Sequence, residues 1–304
     1  MSIDKAYQAL SAIFQPEQLL RNESMKKHTS FRIGGLADLM ILPGTDEQIQ
    51  NAVAILKEHQ VPFMVMGNGS NLLVRDNGIR GAVIKIADTF SNAHVQGKSI
   101  KAQAGILLST LSELALNSNL TGLEYISGIP GTLGGAVTMN AGAYGGEMKD
   151  VVKSVSILNE DGKIQLLDNE QLGLGYRTSI IQNTEKIILE VIMELKSGNY
   201  ETSYALIQDF SKRRQEKQPL AYPSAGSAFK RPVGYYAGKL IQDCGLKGMR
   251  VGDAQISEKH SGFIINLGNA TANDVIQLIE QVKSKVEEME GVELQPEVRI
   301  VGEA

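Results

Sequence analysis

Residues 128–146 read "GIPGTLGGAVTMNAGAYGG": seven glycines, with Ile129, Leu133, Met139 and Tyr144 as the only bulky side chains. Glycine raises the entropic cost of ordering a chain, so the run reads first as a tether. Two features favour a second reading. Pro130, Val137 and Met139 stiffen the segment. It also lies between a helical pattern at 107–118 and a hairpin pattern at 151–168, and long structureless loops inside a compact domain are uncommon unless functional. In that second reading the run is a backbone surface that a planar ligand or a diphosphate approaches closely. The residues alone leave both readings open.

Upstream, a short amphipathic helix is expected within the first 20 residues. "LADLMILP" (36–43) predicts a strand. In "TDEQIQNAVAILKEHQ" (45–60), Thr45 and Gln48 stand at capping-box spacing and Ile49, Val53 and Leu56 share a face, which predicts a helix. "PFMVMG" (62–67) predicts a buried strand, and "GNGSNLLV" (67–74) a tight turn opening into another. "HVQGKSIKAQAG" (94–105) predicts a hairpin about Gly97-Lys98, and 151–168 a hairpin about Asp161-Gly162. Downstream, "KIILEVIMELKSG" (186–198) predicts a long strand and 200–217 a helix ending in "KRRQEK". A helix is expected at 235–245 and strands at 262–268 and 292–302. Val275, Leu278, Ile279, Val282 and Val286 form the apolar stripe of a helix over 271–290.

The 304 residues allow two or three domains. A net charge of -4 argues against a chain held to nucleic acid by bulk charge. The single cysteine, Cys244, excludes an intrachain disulfide and suits a reducing compartment. The N-terminal segment lacks a secretory pattern, and no run approaches the roughly 18 apolar residues of a membrane span. A cytoplasmic protein without membrane or nucleic-acid partners is expected, and a monomer.

Three motifs carry candidate chemistry. "GNGSN" can turn successive N–H groups toward a phosphate. It is not a dinucleotide fingerprint, because the third glycine is missing and no helical pattern follows. The run at 128–146 is the second. The third is "PSAGSAFKRP" (223–232), where Ser227 stands on a turn beside Lys230 and Arg231; a solvated turn is the plainer reading. The four histidines share no metal-ligand spacing, and Cys244 on an amphipathic helix reads as a packing residue. "KRRQEK" reads as a solvated helix end in which Arg213 or Arg214 can face a substrate.

"TSFRIGG", "GNGSNLLV", "GIPGTLGGAVTMNAGAYGGEM", "GYRTS", "PSAGSAFK", "AGKLIQDCGLKG", "KHSGFIIN" and "PEVRIVGE" occur in that order from residue 29 onward. Together they resemble the UDP-N-acetylenolpyruvoylglucosamine reductases, flavoenzymes of peptidoglycan precursor synthesis. The resemblance implies an α+β fold: a two-domain FAD-binding module of the vanillyl-alcohol-oxidase type plus a C-terminal α/β substrate-binding domain. Expected bounds are 1–90, 91–198 and 199–304. It implies non-covalent FAD, NADPH as hydride donor, and reduction of the enolpyruvyl ether of a UDP-sugar to its lactyl ether, UDP-N-acetylmuramate.

Carried onto this chain, the resemblance implies catalytic roles for Arg177, Ser227 and Glu297. Ser227 would donate the proton, and Glu297 would carry a pKa raised by burial. FAD would be held by Gly67, Asn68, Gly69, Ser70, Asn71 and Leu72, by Gly128, Ile129, Pro130, Gly131, Gly134, Gly135 and Ala136, and by Asn140, Ala141, Gly142 and Ala143. The small size of Gly134 would serve the flavin. Substrate contacts are expected from Tyr176, Arg213, Lys230, Arg231 and Gln255, with Arg213 on the diphosphate. No metal is expected. Arg231 replaces the asparagine usual in "FKNP", and His28 an asparagine before Thr-Ser. The tyrosine-bearing loop of the longer subtype is missing, which points to the shorter, second subtype. Another FAD-dependent sugar or lactone oxidase or dehydrogenase of the same fold stays open as an alternative.

Overall fold

The computed structural model describes residues 3–304. Its helices are α1 (Ile3–Leu10), α2 (Asp46–Glu58), α3 (Leu108–Asn117), α4 (Leu133–Thr138), α5 (Tyr200–Lys217), α6 (Ala237–Asp243) and α7 (Ala272–Glu290). Thr45 caps α2 by accepting the N–H of Gln48. The return bond of the expected capping box runs elsewhere: Gln48 Oε1 accepts the N–H of Gly44 at 2.7 Å.

A four-stranded sheet has the order Leu19–Ser24, Leu36–Ile41, Ile79–Lys85, Phe63–Met66, the last pair parallel with Phe63 opposite Ala82. An antiparallel five-stranded sheet has the order Ile164–Asp168, Val152–Leu158, Ile187–Glu194, Ser99–Gln103, Ala93–Gln96. Both expected hairpins lie in it, with Gln96 opposite Ser99 and Leu158 opposite Ile164.

The chain forms two compact units, each built from separated segments. The first comprises 1–20, 39–68 and 81–214, and the second 21–38, 69–80 and 215–304. These are not the three consecutive segments expected from the sequence. The reason lies in the second unit, where Leu72–Val74 pairs in parallel with Arg299–Val301 and so draws an early segment into the C-terminal body. The strand expected over 292–302 is confined to those three residues. Just ahead of them, Pro296 has no N–H for a ladder.

Each unit has its own core. The first packs α2 through Ile49, Ala52, Val53 and Leu56 with Val155, Ile157, Val191 and Met193 of the five-stranded sheet. In the second, α7 buries the whole predicted stripe from Val275 to Val286. Five such side chains contribute on the order of 10 kcal/mol of apolar burial before the entropy of ordering is set against it. Cys244 packs there, and burial pushes its thiol pKa up. Asp76 reaches the start of α7, where its carboxylate accepts the N–H groups of Ala272 and Asn273 at 2.9 and 3.1 Å.

The glycine-rich run is not a structureless loop. Its centre is α4, whose first N–H groups are satisfied by neighbouring backbone: Leu133 N–H donates to Ile106 O and Gly134 N–H to Ala104 O. A two-residue hairpin follows, with Ala143 opposite Gly146. Tyr144 and Gly145 both have positive φ (53° and 91°), the signature of a type I′ turn.

Candidate functional site

In the first unit, Gly67 must be glycine because a Cβ there would stand 2.1 Å from Thr132 Oγ1. The next side chain, Asn68, donates to Pro130 O at 3.1 Å. The "GN" of the first motif and the "GIPGT" of the second are therefore interlocked.

Gly134 has an internal reason to be small. A Cβ there would stand 2.9 Å from Ala104 Cβ. Gly135 differs: it is exposed, and its nearest neighbour would be Thr132 Oγ1 at 3.6 Å, an ordinary contact.

Asn140 is fully buried with φ of 42°. Its amide donates to Gly175 O (3.0 Å) and to Glu147 (2.9 Å), and its oxygen accepts the N–H of Lys149 (2.9 Å). These bonds tie the glycine-rich run to the Gly175–Thr178 turn, which presents Tyr176 and Arg177. Arg177 itself has φ of 54°, a conformation unfavourable for a side chain and held here by the pairing of Gly175 with Thr178. Its guanidinium lies 3.4 Å from Gly142 O and 5.2 Å from the Tyr176 ring. Glu147 sits below its usual pKa, first because Lys149 bonds it, then through Asn140 and the charge of Arg177.

Of the two candidate arginines, Arg213 is exposed and pairs with Asp209 at 2.7 Å one helical turn away. Arg214 is half-buried and donates to Gly128 O, and burial lowers its pKa.

In the second unit, the backbone of Glu297 continues the line of Arg299–Val301. Asn71 donates its amide to Glu297 O at 3.1 Å. On the other side Glu297 N–H donates to Ala228 O, and Ala228 N–H donates to Gly262 O. Ser227 and Phe229 complete this run through bridges to Phe263 and Pro296. Ser227 and Glu297 thus sit on neighbouring stretches of extended chain, with Ser227 Oγ donating to Phe229 O at 3.0 Å. Lys230 is half-buried, anchored by its N–H to Gln295 O. Arg231 is exposed, its guanidinium 4.0 Å from the Tyr236 ring. Gln255 is on a three-stranded sheet, with its amide on Gly248 O; that bond holds a turn.

Residues 37–168 match the family model of an FAD binding domain, and 218–301 that of the UDP-N-acetylenolpyruvoylglucosamine reductase C-terminal domain. A UDP-N-acetylenolpyruvoylglucosamine reductase of Alkaliphilus oremlandii is 56% identical over 299 residues, 98% of each chain. The chain belongs to this reductase family. A relative of the same name from Caldanaerobacter subterraneus is 53% identical over 97% of each chain. The crystal structure of the family's enzyme from Thermus caldophilus is 36% identical, covers 93% of this chain and 97% of its own, and superposes with a TM-score of 0.79.

Membership makes the chain an FAD-dependent oxidoreductase, and the structure fits the cofactor. Among the described residues, the N–H groups of Asn68, Gly69 and Ser70 donate to no backbone carbonyl, which leaves them for an anionic ligand. The bare backbone at Gly135 leaves room for a group to lie against it. Sequence reading missed Glu147 on Asn140 and, having offered Arg213 or Arg214, did not tell that Arg214 is the half-buried one. Helical spacing could have found the last, because Ser203, Ile207, Phe210 and Arg214 share a face that Arg213 does not.

Among the described residues, no helix is long and apolar enough to cross a membrane, and no three His, Cys, Asp or Glu side chains gather to hold a metal ion.

Proposed function

We propose that this chain reduces the enolpyruvyl ether of UDP-N-acetylglucosamine-enolpyruvate to UDP-N-acetylmuramate with NADPH, and that Ser227 supplies the proton. The observation that carries the reading is the registration of Ser227 beside Glu297 by main-chain bonds. FAD, when bound, would supply the hydride chemistry that links NADPH to the terminal carbon of the enolpyruvyl group.

The protein's own residues handle charge and proton. As negative charge spreads toward the substrate carboxylate, Arg177 offers a planar, permanently charged fork to hold it. Ser227 protonates the alpha carbon; an alcohol is a weak acid, so its alkoxide must be stabilised, and Lys230 is the nearest cation in sequence. Glu297 assists by sharing a proton as the charge develops. Gly67 to Leu72, Gly128 to Gly131, Gly134 to Ala136 and Asn140 to Ala143 would hold the cofactor. Tyr176, Lys230, Arg231 and Gln255 are assigned to the UDP-sugar, with Arg213 on its diphosphate.

By ligand, residues 1–90 and 91–198 serve the flavin and 199–304 much of the substrate, a division different from that by compactness. We further assign the enzyme to the cytoplasm as a monomer without nucleic-acid or membrane partners.

The test is an absorbance scan. The FAD-loaded protein should bleach with NADPH and recover its colour when the UDP-enolpyruvyl sugar is added. A flavin that recolours only with oxygen would overturn the substrate assignment.

A further inference from the structure

Helix α5 rests on the rest of its unit through a narrow stripe. Ser203 is the only fully buried residue among its 18, and Ile207, Phe210 and Arg214 on the same face are half-buried. Two apolar side chains give such a helix little to fix its position along its own axis. Polar contacts do so instead, three of them within the first unit.

At the first turn Ser203 donates to Glu124 Oε1 at 2.6 Å. In the middle, the Phe210 ring stacks on Tyr144 at 4.3 Å and 1°, and Tyr144 OH donates to Phe210 O at 3.1 Å. At the last turn Arg214 holds Gly128 O. From Ser203 to Arg214 the helix rises roughly 16 Å. Its three contacts, Glu124, Gly128 and Tyr144, bracket the glycine-rich run.

Glu124 is built for this grip. It is 8% exposed, and its two oxygens take three donors: Thr121 OH at 2.6 Å and Ser203 OH on one, and the N–H of Gly122 at 2.9 Å on the other. Burial pushes its carboxyl pKa up, but the bonds from Ser203, Thr121 and Gly122 outweigh that and hold it below the usual range.

We propose that Glu124 is a positioning residue: through Ser203 it sets the register of α5, and α5 in turn sets Arg214 on the Gly128 carbonyl at the entrance to the flavin-contacting run. The proposal rests on the flavin reading above. It predicts that a hydroxyl remote from the cofactor governs cofactor affinity through Arg214.

The experiment uses the full-length apoprotein with two readouts, FAD titration and the rate of tryptic cutting at Lys212–Lys217. Ser203→Ala should weaken FAD binding about five- to tenfold, the scale of one net hydrogen bond. It should speed cutting of the apoprotein by a similar factor, about five- to tenfold, as α5 opens more often. Ser203→Thr keeps the hydroxyl and should restore both. Arg214→Ala should weaken FAD binding to a like extent, and the double variant should bind no more weakly than the weaker single. An FAD affinity for Ser203→Ala within about twofold of wild type, or losses that multiply in the double variant, would overturn the proposal. Should the wild-type chain bind no FAD, the flavin reading fails. Unchanged tryptic cutting in Ser203→Ala would separately sink the clamp.

Discussion

The surroundings of the Gly175–Thr178 turn and those of Ser227 are held by different means. In the first, side chains bond to backbone: Asn140 to Gly175, Arg214 to Gly128, Asn68 to Pro130. Non-glycine residues with positive φ sit among them: Asn140, Tyr144 and Arg177. In the second, main chain bonds to main chain: Glu297 to Ala228, Ala228 to Gly262, Lys230 to Gln295. The contrast teaches where substitutions bite. Single side chains carry the geometry in the first region, whereas in the second the backbone largely holds itself.

The sharpest break comes at Ser227. Ser227→Ala leaves the ladder intact, so the melting temperature should stay within about 2 °C. Reduction of the UDP-sugar should slow by about 10²- to 10⁴-fold while flavin bleaching by NADPH proceeds normally. Stopped-flow measurement of the two half-reactions checks this; equal losses in both would remove the proton-donor role. The reverse pattern is expected for Asn140→Ala, which strands buried polar partners in the first region. Urea unfolding should show a loss of about 3 kcal/mol, and a change under about 1 kcal/mol would mean that the Asn140 bonds do not hold the turn.

Two adjacent glycines sharpen the comparison within one helix. Gly134→Ala should cost about 1–3 kcal/mol of stability through overpacking on Ala104. Gly135→Ala should leave stability equal or raise it by about 0.5–1 kcal/mol, yet weaken FAD binding if the cofactor lies there. Denaturation and flavin titration on both variants test the pair, and identical behaviour would contradict it.

The smallest effect is a pH dependence. The folded-state pKa of Glu124 lies below its unfolded value, so its contribution is complete above about pH 4.5. It is lost as pH falls through the folded pKa. Glu124→Gln should flatten the acid limb of the stability curve; an unchanged limb would show that other carboxylates set it.

Much of this was legible in the sequence. Gly97-Lys98 and Asp161-Gly162 announced their hairpins through turn chemistry, α2 its helix through apolar spacing and a cap, and α7 through apolar spacing. Helix α4 was not legible, because "LGGAVT" has poor intrinsic helix propensity. Its N–H groups are satisfied by the carbonyls of Ile106 and Ala104, which are neighbours only in the fold. The division into units was hidden for a similar reason, since the pairing of 72–74 with 299–301 is specified far along the chain. At the site, residue types were readable and their employment was not. Asn140 reads as a ligand contact, yet its side chain is spent on Gly175, Glu147 and Lys149. Gly134 reads as room for a cofactor, and its small size also makes room for Ala104.

The parallel pairing of Leu72–Val74 with Arg299–Val301 has a consequence for biogenesis. Asn71 waits for a partner 226 residues later in the chain. At ordinary elongation rates that is on the order of ten seconds or more. For the last part of that interval, once residue 214 has been made, the first unit has its residues while the segment 69–80 still lacks its mate. The nascent protein should therefore pass through a state in which a cofactor-side glycine motif is tethered to a folded body but unpaired.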